Sequence, residues 1–215
     1  MHSAYEDGDA LPRGASAPSA NGNGTIRMHC GATYTGTHKN GTPDGHGRAV
    51  YTDGITVYDG TWRMGVYHGE GILTLTYDDG TQEIYDGEWS YGEQTGRARL
   101  TYTDGSVYEG EFLRGRRHGY GFYTLLFPNG STATYDGMWE SNAQSGYGIA
   151  HYSNGNSYEG EWAYGSFSGH GIYRWADGAH YEGEWLEDAR NGHGRMTYAD
   201  GHVEEGEWKD DELIG

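Results

Sequence analysis

The sequence predicts an all-β protein, an antiparallel meander of β-hairpins drawn out into an extended sheet. Three observations predict it. A pattern of tyrosine, acid, glycine, acid and tryptophan recurs from Tyr34, Tyr58, Tyr85, Tyr108, Tyr135, Tyr158 and Tyr181, and an eighth copy starts at Glu204, at intervals of 24, 27, 23, 27, 23, 23 and 23 residues. A period in this range marks a repeat architecture. Each copy alternates with period two, and successive copies are separated by Asp-Gly or Asn-Gly, which is strand patterning punctuated by hairpin signals.

Residues 1–24 are Ala, Ser, Gly, Pro and Asn with scattered acids. They read as a disordered tail or an arm ordered by a partner. From residue 25 to residue 215 the repeat pattern runs without a linker-like break. In the copy at Tyr158, the residues Tyr158, Gly160 and Trp162 alternate with Glu159 and Glu161. The first set shares one face of a strand and the acids share the other. A glycine-rich re-entry through Gly165, Gly169 and Gly171 leads to a second strand, Ile172 to Trp175, which ends at Asp177-Gly178. No helical period or capping signature interrupts the series.

The glycine between Tyr and Trp leaves room for a neighbouring strand's ring to lie over the backbone. Stacked copies then build columns of rings on one face, and the opposite face is strongly acidic. The copies at Tyr58 and Tyr108 are four residues longer than the 23-residue copies. Two residues are added on each side of the turn, which preserves the alternation and predicts two protruding hairpins, tipped at Gly80 and Gly130. They are candidate contact points.

Apolar residues make up only 34% of the chain, and tyrosine supplies 20 of its aromatics. That composition suits an extended sheet better than a globule with a deep core. The formal net charge is −18, so nucleic acid is not an expected partner and anionic membranes are disfavoured. The exception is local: Arg97, Arg99, Arg114, Arg116 and Arg117 fall within 21 residues. Arginine forks there would suit phosphoinositide headgroups or an acidic protein patch. Cys30 is the only cysteine, which fits a reducing compartment and makes the glycosylation sequons at Asn23, Asn40 and Asn129 incidental. No stretch approaches 18 apolar residues, and no apolar leader opens the chain.

Tyr108-Glu109-Gly110-Glu111-Phe112, then Gly115, His118-Gly119 and Gly121, resembles the MORN repeat (membrane occupation and recognition nexus). The resemblance spans residues 28–211. His38 departs from it in the Trp place, Ala98 in that of the last Gly, and Asn142 and Asp188 in that of the mid-loop Gly. The resemblance implies a single-layer, twisted antiparallel sheet forming a rod, and a scaffold of the cytoskeletal or ciliary type. Some relatives hold an extended peptide in the aromatic groove, some self-associate, and some have been linked to phosphoinositides.

His46, His170 and His193 sit between glycines about one repeat apart, roughly 10 Å, too far to share a metal. They read as turn residues. Periodic acids on an exposed face read as a solvated surface. No Walker A, zinc-protease, EF-hand or nucleophile-elbow pattern is present, so no enzyme, cofactor or metal is expected.

The expected protein is therefore a non-enzymatic scaffold for protein–protein interactions, at the cytoskeleton or in a cilium or flagellum (axonemal, for instance radial-spoke-like). The alternative is a peripheral membrane adaptor. The expected partner-binding aromatic face is Tyr58, Trp62, Tyr85, Trp89, Tyr108, Phe112, Tyr135, Trp139, Tyr158, Trp162, Tyr181 and Trp185. Its occupants would be other subunits of an assembly or an extended peptide, and a homodimer is admitted. A second expected interface is the terminal edge with Trp208, Leu213 and Ile214, where no further strand follows to cover the last one.

Overall fold

The computed structural model describes residues 21–215, and among them it holds strands and turns and no helix. The first six strands are β1 (Asn21–Arg27), β2 (Thr33–Lys39), β3 (Thr42–Val50), β4 (Thr56–Arg63), β5 (Val66–Thr76) and β6 (Gln82–Ser90). The next six are β7 (Glu93–Thr101), β8 (Val107–Leu113), β9 (Arg116–Leu126), β10 (Thr132–Glu140), β11 (Ala143–Tyr152) and β12 (Ser157–Ala163). The last five are β13 (Ser166–Arg174), β14 (His180–Leu186), β15 (Ala189–Thr197), β16 (Val203–Lys209) and β17 (Glu212–Leu213). Each strand pairs antiparallel with the next, so one open, single-layer sheet follows chain order. At about 4.8 Å per strand the sheet runs on the order of 80 Å.

The even strands from β2 to β16 carry the Tyr-x-Gly-x-Trp series. The expected tail gives up its last four residues to the sheet. Asn21 to Gly24 belong to β1, which pairs from Asn21↔Lys39 to Arg27↔Thr33. Ladder bonding covers the edge of β2, and Ile26 is buried in the core. The remainder of that tail, residues 1–20, lies outside the described residues.

Two kinds of turn alternate. The turns inside each copy place two residues at positive φ, as in Met64 (49°) and Gly65 (82°). That is the signature of the two-residue hairpin turn whose twist matches the flanking strands. Asn142 (76°) and Asp188 (68°) adopt it in place of glycine, as their short polar side chains permit. The Asp-Gly turns differ from the two-residue form that their sequence suggests. In the first, only Gly54 has positive φ, its amide donates to Tyr51 O at 2.9 Å, and Asp53 Oδ1 accepts from the amides of Ile55 and Thr56. These are four-residue turns in which the aspartate, not the dipeptide geometry, ties the loop. The same bonds hold the Asp53 carboxyl below its usual range.

Consecutive copies are fastened at the in-copy turns. Gly65 N donates to Pro43 O, Gly92 N to Tyr67 O and Asn142 N to Arg117 O, at 2.8, 2.9 and 3.0 Å. The two long hairpins appear as expected: β5 and β9 each have 11 residues, and their turns close at Gly80 and Gly130.

The C-terminal edge differs from expectation. The chain turns back after Lys209, β17 pairs Leu213 with Trp208, and Glu207 exchanges backbone bonds with Ile214 and Gly215. Part of the edge expected to be free is thus covered by the chain itself.

Candidate partner-binding face

The site begins with a defect in the ladder. In every copy from β2 to β15 the register breaks just after the Tyr-x-Gly glycine. In the copy at Tyr58, Gly60 pairs with Gly71 and Trp62 with Tyr67, so Thr61 alone faces three residues. Such a bulge leaves a carbonyl outside the ladder and sharpens the twist. The tyrosine of the same strand satisfies that carbonyl: Tyr58 Oη donates to Thr61 O at 3.0 Å, Tyr135 to Met138 O at 2.9 Å and Tyr158 to Glu161 O at 2.8 Å. To get there the ring crosses both glycines of the pair. The ring over the glycine is therefore the strand's own tyrosine, not a neighbour's. Tyr158→Phe is expected to cost about 1 kcal/mol by removing this donor while keeping the ring. Equal denaturation midpoints for the two proteins would show that water replaces the hydroxyl.

The tryptophans are tied to the strand before their own. Trp62 Nε1 donates to Gly47 O at 2.9 Å, Trp89 to Gly71 O at 3.0 Å and Trp208 to Gly194 O at 3.0 Å. From Trp62 to Trp185 each ring stands edge-on to the tyrosine of its own copy and to that of the copy before, as Trp62 does to Tyr58 (5.1 Å, 87°) and Tyr34 (5.3 Å, 80°), while Trp208 meets Tyr181 alone. This is the favoured geometry for aromatic pairs.

The rings expected to meet a partner are consequently core. All twelve, from Tyr58 and Trp62 to Tyr181 and Trp185, are buried, none more than 7% exposed. Each copy's rings pack against those of the next, as Tyr58 does on Trp89 at 5.6 Å. Burial pushes the Tyr152 and Tyr181 hydroxyls up to about 12. An unfolded tyrosine ionises near pH 10. Above that pH the unfolded chain gives up protons that the folded chain keeps, so stability is full below pH 10 and falls as pH rises towards 12. Circular dichroism should show cooperative loss of the sheet in that window, with tyrosinate absorbance rising in step. Ionisation of Tyr152 or Tyr181 near pH 10 in an intact sheet would contradict their burial.

Above this floor lies a row of half-buried rings that the repeat motif does not single out: Tyr102, Tyr123, Tyr152, Tyr173, Trp175 and Tyr198. Toward the C-terminal end they border two concavities of about 430 and 440 Å³, which share Trp175. Phe167, Tyr173, Met196 and Tyr198 line this trough, with Asp177, Asp188, Asp200 and Asp211 among its polar groups. The signal in the sequence was the aromatic just before each Asp-Gly turn. That aromatic recurs from Tyr51 to Tyr198, but nothing in the second arm's own sequence says that it stands above the core.

The expected basic patch does not assemble. Arg97 and Arg99 lie on the outward face of β7 opposite Glu111 and Glu109, and Arg99 ion-pairs with Glu109. Arg114 sits in a turn and Arg116 pairs with Leu113. Arg117 turns inward, its guanidinium 4.3 Å from the Trp139 ring centroid. At the terminal edge, Trp208 is buried in the ring column, while Leu213 and Ile214 remain exposed.

A family profile described as MORN repeat matches residues 34–56, 58–82, 85–107, 108–132, 135–157, 158–180 and 181–203. Together these matches cover well over half of the chain. The chain belongs to the MORN-repeat family. No curated protein matches the sequence. Among solved structures, the TCP domain of SAS-4 (dCPAP) of Drosophila melanogaster, in complex with a proline-rich motif of Ana2 (dSTIL), aligns with 93% of this chain and 97% of that one, at 16% identity and a TM-score of 0.35. At that TM-score the likeness carries no functional weight.

The MORN copies differ most at the residue paired with each tryptophan. Tyr67 stacks on Tyr58 and Phe167 on Tyr158, both at 3.8 Å, whereas Arg117 and Arg190 lay guanidinium planes over Trp139 and Trp208, both at 4.3 Å. In these four copies the place is a lid on the ring column, whereas Pro43, Gln94 and Gln144 hold it in three others. Arg190 is fixed there by Asp211 at 2.9 Å. Among the described residues, no three His, Cys, Asp or Glu side chains converge as metal ligands would, and no helix is long and apolar enough to cross a membrane.

Proposed function

We propose that this MORN-repeat protein is a non-enzymatic scaffold that holds an extended segment of another subunit along its inner aromatic trough, within a cytoskeletal or ciliary assembly. One observation carries the reading: Tyr173, Trp175 and Tyr198 form a continuous, half-exposed aromatic strip above a rigid, fully packed floor. Rigid rings with one face free are effective anchors, since little side-chain entropy is lost when a partner covers them.

Trp175→Ala together with Tyr198→Ala should reduce partner recovery in a pull-down by about tenfold or more, the usual effect of truncating interface anchors. The denaturation midpoint should change little, because neither ring belongs to the Tyr–Trp column. Undiminished recovery would sink the trough as the binding face. Imaging of the tagged protein would test the ciliary or cytoskeletal assignment. The membrane-adaptor alternative finds no support in the arginines, which are divided between two faces. Sedimentation with phosphoinositide vesicles at about 0.15 M salt, where exposed charges are screened within ~8 Å, should leave the protein in solution. Tight pelleting, abolished by R114A, R116A and R117A together, would favour the adaptor.

A further inference from the structure

The outward face is not uniformly acidic, because the second arm of each copy also projects residues there. Over β9, β10 and β11 those residues turn apolar together. Tyr120 (53% exposed), Phe122 (40%), Leu126 (37%), Met138 (43%) and Tyr147 (53%) form one outward patch. Tyr120 pairs directly with Met138, and Phe122 with Asp136. The other copies show how unusual this is. The place of Tyr120 and Tyr147 is held by His46, Glu70, Arg97, His170 and His193, and the place of Met138 by Thr37, by Thr61 or by a glutamate, as in Glu161 and Glu184. Neighbouring positions on three strands have exchanged charge for apolar surface, although nothing among the described residues covers them.

Acids surround the patch and are held in place by it. The Tyr120 hydroxyl donates to Asp136, and the Tyr147 hydroxyl donates to Glu159 at 2.6 Å. Glu161 lies opposite Tyr147 on β12.

We propose that the outward face of β9–β11 docks a protein segment of basic, apolar-anchored character. Its apolar side chains would seat on Tyr120, Phe122 and Met138, and its Lys or Arg side chains would meet Asp136, Glu159 and Glu161. Two considerations choose this occupant over a second copy of the chain. Large side chains present about 150–250 Å² each when fully open, so five at these exposures offer on the order of 400 Å². A stable dimer needs roughly 800 Å² per partner. A second copy would also bring a further net charge of −18 against an acid-rimmed surface, whereas a basic segment is drawn to it. The inner trough lies on the other face, so the two sites can be lost separately.

The test uses two labelled amphipathic peptides of about 14 residues, one of leucine and lysine and one of leucine and glutamate, in fluorescence anisotropy at about 0.15 M salt. The lysine peptide should bind saturably and the glutamate peptide should not. The quadruple variant Y120S, F122S, M138S and Y147S keeps the net charge and should weaken the lysine peptide by about tenfold or more. Met138→Glu installs the acid that other copies carry at this place, so folding is preserved. If binding is only charge attraction, Met138→Glu tightens it; if the patch is the seat, Met138→Glu weakens it. W175A with Y198A should leave this binding unchanged. Equal binding by the quadruple variant, or tighter binding by Met138→Glu, would overturn the proposal. So would a concentration-dependent dimer of the parent chain that the quadruple variant abolishes in light scattering, since the occupant would then be a second copy.

Discussion

Trp139→Ala is expected to lower stability by about 3–5 kcal/mol, the range for removing a buried large aromatic. Trp139 is 3% exposed and stands edge-on to Tyr108 at 5.3 Å and Tyr135 at 5.2 Å. Its Nε1 donates to Gly121 O at 3.2 Å, and Arg117 covers its ring. Alanine would remove the link between two copies, leave that carbonyl unpaired and uncover the guanidinium together. Coupling in repeat arrays is mostly between neighbours, so the loss should spread to the adjoining copies. Trp139→Phe should cost less, about 1–3 kcal/mol, because Phe112 already fills this place in the copy at Tyr108. Urea denaturation followed by tryptophan fluorescence and by circular dichroism measures both. An unchanged midpoint for Trp139→Ala would mean that the ring is not part of the core.

Gly160→Ala is expected to destabilise by about 3 kcal/mol, the upper end of the range for overpacking, and Gly171→Ala by about 1–2 kcal/mol. The two glycines face each other across β12 and β13, yet their surroundings differ. A Cβ on Gly160 would meet backbone, the Gly171 Cα at 2.5 Å and His170 O at 2.7 Å. A Cβ on Gly171 would meet the Tyr158 ring and hydroxyl, and a ring can tilt. The chain holds its own precedent in Ala98, which stands opposite Gly87 in the place of Gly171. There the Tyr85 and Trp89 rings meet at 70° instead of the 89° of Tyr158 and Trp162, while Tyr85 Oη still reaches Glu88 O at 2.9 Å. The place of Gly160 is glycine in every copy, from Gly36 to Gly206. Chemical denaturation of the two single variants decides the order of costs. If Gly171→Ala proves the costlier, the ring is more tightly held than Ala98 implies.

Much of this architecture was legible along the chain because repetition and period two are local properties. The copies, the alternation of faces and the lengthened hairpins at Gly80 and Gly130 follow from spacing, and the resemblance to the family from the residues of the motif. The bulge was not legible. Nothing in Tyr-x-Gly-x-Trp says that the register with the following strand breaks after the glycine, although the tyrosine hydroxyl serves the carbonyl left there. The arginines from Arg97 to Arg117 are close in sequence, but alternation and a turn send them to different faces. The last residues carry too little pattern to show that Leu213 would pair back on Trp208.

The sequence by itself determined an all-β array of repeats with the motif's rings on one face and its acids on the other, because side-chain direction along a strand depends only on parity, and its motif residues carried the resemblance to the MORN repeat. Only the tertiary structure decided which rings a partner can touch. Burial depends on strands that lie one and two places away, so the motif's Tyr and Trp became floor, and Tyr173, Trp175 and Tyr198 of the second arms stayed partly exposed. In the same way, the patch of Tyr120, Phe122, Met138 and Tyr147 exists only once β9, β10 and β11 lie side by side, since it joins residues from two copies whose spacing in the chain gives no sign that they meet.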